Sequence, residues 1–144
     1  MIKKKVTKIL VPLDGSKNSQ RGLEMAISVA RQFGATITGV YSIYAPPHTE
    51  FRGVGSVEDS LNEEVKKIMD NAKVLAAQNG IVFKEKLMRG DIGYNIIKLA
   101  HNKKENFNLL VIGNRGRGSL KEMFFGSVSN YVIHASKIPV LLVK

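Results

Sequence analysis

The sequence has no cysteine and no tryptophan, and it is short of acid: 12 Asp and Glu stand against 22 Lys and Arg. Without cysteine there can be no disulfide, no thiolate metal site and no cysteine nucleophile. The 3 histidines, His48, His101 and His134, are widely separated, which argues against a zinc site. No apolar run approaches the roughly 20 residues that a helix needs to cross a bilayer. The opening Met1-Ile-Lys-Lys-Lys-Val6 is basic, but Thr7 to Asp14 is too short for the apolar core of a signal peptide and offers no small-residue cleavage site. The expectation is a soluble, mature, cytoplasmic chain.

What is present is ordinary globular composition, 44% hydrophobic and 24% charged over 144 residues. That is one domain's worth, residues 1–144, with enough chain to bury a core unaided. A net charge of +10 attracts anions. The cations are scattered, and no patch interleaves them with aromatic residues, so a solvated basic surface is favoured over a nucleic-acid site.

Apolar periodicity alternates along the chain. Val6 to Leu13 reads as a short buried strand. From Ser16, the spacing of Leu23, Ala26, Ile27 and Ala30 predicts a helix ending near Phe33-Gly34. Ala35 to Tyr44 returns to strand composition, and Ala45-Pro46-Pro47 opens a long polar loop. Val57, Leu61, Val65, Ile68, Ala72, Leu75 and Ala76 mark a second helix stopped by Asn79-Gly80, and Ile81 to Met88 a third strand. Asp91 is placed to cap a helix carrying Ile92, Ile96, Leu99 and Ala100, and Phe107 to Ile112 is a fourth strand. Ser127 to Lys137 reads as a helix with Val128, Tyr131, Val132 and Ala135 inward, and Ile138 to Val143 as the closing strand. Such alternation predicts an α/β fold, an open parallel five-stranded sheet with helices on both faces, for which the common strand order is 3-2-1-4-5.

In such a sheet, ligands lie beyond the carboxyl ends of the strands, where the strand order reverses. Strands 1 and 4 flank that point, so Pro12-Leu13-Asp14-Gly15 and the chain from Gly113 face one crevice. Taken alone, Asp14 reads as a cap of the first helix. Glycines after strand 4 let the backbone approach an anion, and a helix starting at Ser127 adds its positive dipole end. Neither a Walker P-loop nor a G-x-G-x-x-G turn is present. Instead the segment reads Gly113-x2-Gly116-x9-Gly126-Ser127.

That spacing resembles the ATP-binding branch of the universal stress protein family. The opening Ile9-Leu-Val-Pro-Leu-Asp14-Gly-Ser16, the pair Gly90-Asp91 and the closing Ile138-Pro-Val-Leu-Leu-Val143 are similar to it as well, so the likeness runs over essentially the whole chain. The resemblance implies a Rossmann-like fold of the adenine nucleotide alpha hydrolase kind, and ATP, AMP or ADP as ligand, with Mg²⁺ held through the phosphates. It implies that Asp14 contacts the ribose or the adenine side and that Pro12 and Leu13 wall the base. Gly90 would lie near the ribose, and Gly113, Gly116, Arg117, Gly126, Ser127, Val128 and Ser129 would surround ribose and phosphates. Family members often carry Val at the end of strand 2, offering backbone groups to adenine; this chain has Ser42 there. Arg117 is the cation best placed for phosphate, ahead of Arg115 and Lys121, because a guanidinium binds phosphate bidentately. Met123-Phe124-Phe125 reads as packing rather than a stacking platform.

The function expected is an ATP-binding regulatory or stress-response protein, homodimeric through strand 138–143. The alternatives are a slow ATP hydrolase, for which only Asp14 and Glu122 stand near the motif to orient a water, and a basic nucleic-acid-binding protein.

Overall fold

The computed structural model of the protein describes residues 5–44, 55–114 and 126–144, with side chains from residue 62 onward in the middle span. The elements alternate as β1 (Lys8–Pro12), α1 (Lys17–Phe33), β2 (Thr36–Tyr44), α2 (Gly55–Gln78), β3 (Phe83–Gly90), α3 (Ile92–Ala100), β4 (Leu109–Gly113), α4 (Ser127–Ala135) and β5 (Val140–Val143). All strand pairs are parallel, and the sheet order is β3-β2-β1-β4-β5. This is the open parallel α/β sheet that the alternation predicts, in the common order 3-2-1-4-5.

The period of the strands sorts their side chains into two cores. Ile9, Val11, Leu13, Ile37, Tyr41 and Val111 pack under α1 and α2, where Leu23, Ala26, Ile27 and Ala30 meet Val65, Met69, Ala72 and Ala76. Leu10, Val40, Leu110 and Ile112 face α3 and α4, against Ile96, Leu99, Ala100 and Val132. Completely buried residues such as Ile9, Leu10 and Leu23 each contribute about 2 kcal/mol relative to exposure.

Helix starts and stops follow local chemistry. Ser16 caps α1 by accepting from the Ser19 N–H, and Gly34 closes it at φ 67°. Asp91 caps α3 through a 2.8 Å bond from the Tyr94 N–H to Oδ1. β3 begins two residues later than the apolar pattern suggests, because the Ile81 N–H turns back to the Ala76 carbonyl at 2.9 Å and finishes α2 instead. α4 stops at Ala135 rather than Lys137: Pro139 disfavours helix at Ile138, and Ser136 is already extended at ψ 133°. Its fully buried residues are Ser129 and Val132, and Val128 packs against the same core, whereas Tyr131 is 44% exposed and lies over Gly93 of α3. The loop expected after Tyr44, at Ala45 to Val54, and the side chains of Val57 and Leu61 lie outside the described residues.

Candidate functional site

α1 and α2 cover one face of the sheet and α3 and α4 the other, so the winding reverses between the neighbouring strands β1 and β4. In a sheet wound this way, that reversal beyond the carboxyl ends is where a ligand crevice lies.

β1 is shorter than its neighbour. Its last pair is Pro12 with Val40, and the Leu13 N–H still donates to the Val40 carbonyl at 2.8 Å. β2 runs on to Tyr44, paired with β3 as far as Tyr44 opposite Gly90. In a parallel ladder alternate residues turn their N–H and C=O to opposite neighbours. Val40 faces β1, so Ser42 turns its N–H and C=O the same way, past the last β1 partner and toward the crevice.

Pro12 and Asp14 at the end of β1 are half-buried. Leu13 is buried in the core under α1 and α2, so its contribution to a crevice wall is main chain rather than side chain. Asp14 does not cap α1. Its Oδ1 accepts from the Ser16 N–H at 2.8 Å, and Ser16 then caps the helix through Ser19 N–H at 3.1 Å. The carboxylate is thereby fixed in the turn beside the crevice, with Gly15 at φ 83° behind it.

Opposite, β4 ends against the first turn of α1. A Cβ on Gly113 would overlap the Asn18 carbonyl oxygen, and one on Gly22 would lie 3.1 Å from the Gly113 nitrogen. Gly113 therefore serves close helix–strand packing as well as any ligand. Beyond it, the Asn114 N–H donates to the Val143 carbonyl at 2.8 Å, holding the chain to β5. The Asn114 carbonyl accepts from the Gly126 N–H at 3.1 Å and from Ser129 Oγ at 2.7 Å, and the same hydroxyl lies 3.0 Å from the Gly126 carbonyl. These bonds join the two ends of the glycine segment and seat the start of α4 beside the end of β4.

α1 and α3 carry side-chain caps; α4 begins at Gly126 without one. Gly126 has no side chain to accept from the first-turn amides at Ser127, Val128 and Ser129, which stand at the positive end of the helix dipole. Asn114 Oδ1 is the one buried side-chain polar atom among the described residues that lacks a partner. Gly116 and Arg117, with Arg115, Lys121, Glu122 and Met123-Phe124-Phe125, lie outside the described residues.

Gly90 sits across β2 from the crevice at φ 122°. Beside it is Asn95 of α3, 6% exposed, whose Nδ2 donates to Ser42 Oγ at 3.0 Å and to the Arg89 carbonyl at 2.9 Å. Sequence reasoning missed Asn95, Asn114 and Gly22. Gly22 carried a signal, since glycine inside a helix is unfavourable by about 1 kcal/mol and points to close packing.

A groove of about 290 Å³ lies between α1 and α2, lined by residues including Glu24, Arg31, Leu75 and Asn79. It involves the carboxyl-terminal halves of these helices and so sits at the opposite end of the sheet from the crevice. Among the described residues, no three His, Asp or Glu side chains converge as metal ligands, and no helix is long and apolar enough to cross a membrane.

Residues 5–144 match the model of the Universal stress protein family. Universal stress protein YxiE of Bacillus subtilis is 31% identical, over 95% of this chain and 98% of its own. Among solved structures, universal stress protein UspA from Lactobacillus plantarum superposes with a TM-score of 0.87 at 23% identity, covering 98% of this chain and 99% of that one. The universal stress protein from Archaeoglobus fulgidus in complex with dAMP gives 0.71 at 25% identity, covering 96% and 98%.

Proposed function

The chain belongs to the universal stress protein family, and from that premise we propose that it is an ATP-binding member acting as a nucleotide-dependent regulator in the stress response. The observation that carries the reading is the junction of Asn114, Gly126 and Ser129, which holds an uncapped helix start against the end of β4. Amides at a helix N-terminus suit phosphate oxygens. Across the crevice, the turn fixing Asp14 offers a carboxylate to ribose hydroxyls, and Ser42 offers an N–H beside a C=O. Adenine presents the complementary pair, an N1 acceptor beside an N6 amino donor. The dAMP complex of the Archaeoglobus fulgidus relative supports an adenine nucleotide as the ligand class.

In this reading Gly113, Gly116, Arg117, Gly126, Ser127, Val128 and Ser129 surround ribose and phosphates, Pro12 and Leu13 wall the base, and Gly90 lies near the ribose. Mg²⁺ accompanies ATP through phosphate oxygens and water, the hard donors it prefers. The protein is read as cytoplasmic and as a homodimer through β5, an edge strand whose Leu141 is 36% exposed. The direct test is mass identification of nucleotide released from purified, denatured protein. An adenine nucleotide at near one per chain supports the reading; an empty protein with no affinity for added ATP ends it.

A further inference from the structure

Asn95 is a buried polar residue on a helix face otherwise given to the core, between Ile92 and Ile96. Its position is set by the first turn of α3, where its N–H donates to the Asp91 carbonyl at 3.0 Å. The Arg89 carbonyl can only accept, so the side-chain atom 2.9 Å from it is the amide nitrogen. The second proton of that nitrogen is the one aimed at Ser42 Oγ, 3.0 Å away. One side chain thus ties the end of β2, the end of β3 and the start of α3 together. The tie falls at Ser42, the residue whose main chain turns into the crevice beyond β1.

We propose that Asn95 is a positioning residue for the adenine base, holding the Ser42 N–H and C=O in register with the base edge from behind. The inference rests on the nucleotide-binding reading above. It goes further by naming a residue that touches no ligand, and by giving a reason for a hydroxyl at position 42. With valine there, no acceptor would meet the second Asn95 proton, and a buried N–H without a partner is unfavourable. The end of β2 needs such a fastening because β1 has already stopped, leaving this stretch of β2 paired with β3 alone while the Ser42 N–H and C=O face the other way. Guanine presents a donor and an acceptor in the reverse order, so a fixed Ser42 pair also sets preference for adenine.

The test is calorimetric titration of the full-length protein with ATP, GTP and inorganic tripolyphosphate. The set is wild type, Asn95→Ala, the near-isosteric Asn95→Asp, Ser42→Ala and the Ser42→Ala/Asn95→Ala double variant. Loss of one hydrogen bond's worth of positioning predicts that N95A and N95D bind ATP about fivefold more weakly. Tripolyphosphate affinity stays unchanged, the preference for ATP over GTP narrows, and the double variant loses no more than N95A alone. A general loosening of the fold would weaken tripolyphosphate equally, and that result overturns the proposal, as does unchanged ATP affinity in both Asn95 variants. If neither Asn95 variant folds, S42A decides: it keeps the Arg89 bond and must still narrow the preference for ATP over GTP. Wild type that binds no adenine nucleotide removes the site reading and this inference together, whereas binding indifferent to Asn95 and Ser42 removes the inference alone.

Discussion

Gly22 of α1 and Gly113 of β4 meet with no side chain between them, a Cβ on Gly22 falling 3.1 Å from the Gly113 amide nitrogen. This approach brings the first turn of α1 against the strand end at the crevice. Gly113→Ala would press on the Asn18 backbone, which cannot rotate aside as a side chain can. The expected cost is about 2–3 kcal/mol in urea unfolding. Gly22→Ala should cost less, because alanine recovers about 1 kcal/mol of helix propensity against its tighter contact.

Ser129 donates from within α4 to the Asn114 carbonyl at 2.7 Å, with the Gly126 carbonyl also in reach. Ser129→Ala leaves those carbonyls without the hydroxyl and should lower stability by about 1–2 kcal/mol. It also releases the start of α4 from the end of β4. ATP affinity is therefore expected to fall roughly tenfold, equivalent to about 1.4 kcal/mol. Calorimetry and thermal unfolding on the same sample read both effects.

Ser16 and Asp14 separate capping from binding. Ser16→Ala removes the α1 cap, at a cost of about 1 kcal/mol, and should leave ATP affinity within about twofold. Asp14→Ala removes the proposed ribose contact and should weaken ATP about tenfold. Equal ATP affinity in the two variants would count against the role given to Asp14.

His101, which ends α3, accepts the Lys137 N–H at Nε2 over 2.9 Å. In that bond Nε2 acts as the acceptor. His101→Ala should therefore cost no more than about 0.5 kcal/mol in thermal unfolding, because water replaces the ring at the exposed Lys137 amide.

Leu141, half outward on the edge strand β5, tests the proposed homodimer. A lysine on an edge strand opposes pairing with another chain. Leu141→Lys should therefore move the protein from dimer to monomer in sedimentation velocity at micromolar concentration. A wild type already monomeric there removes the dimer proposal.

The elements and the inward face of α1 were legible in the sequence because they rest on periodicity, which burial enforces residue by residue: Leu23, Ala26, Ile27 and Ala30 are all inside; the strand order followed from the common order of such sheets. Boundaries slipped where hydrogen bonding outvoted hydrophobicity. Ile81 is apolar and buried yet serves the end of α2, and Tyr131 matched the helical spacing but covers Gly93 from the rim of α4. The glycines and Asp14 showed in the sequence by type and position. The fastenings behind them did not, since Asn95 to Ser42 spans 53 residues and Ser129 to Asn114 spans 15. Nothing local in the chain announces either pair. Taken alone, Asp14 has the type and place of a cap for α1, but Ser16, two residues on, fills that role with the same chemistry.

The central claim is that an adenine nucleotide binds where β1 and β4 end. Backbone amide chemical shifts followed by NMR during titration with ATP and Mg²⁺ test it most directly. The account predicts saturable shifts concentrated at Asp14, Ser42, Gly90, Gly113 and Ser127 to Ser129. Shifts confined to the groove between α1 and α2, at Glu24, Arg31 and Asn79, or no shifts at millimolar ATP, would contradict it.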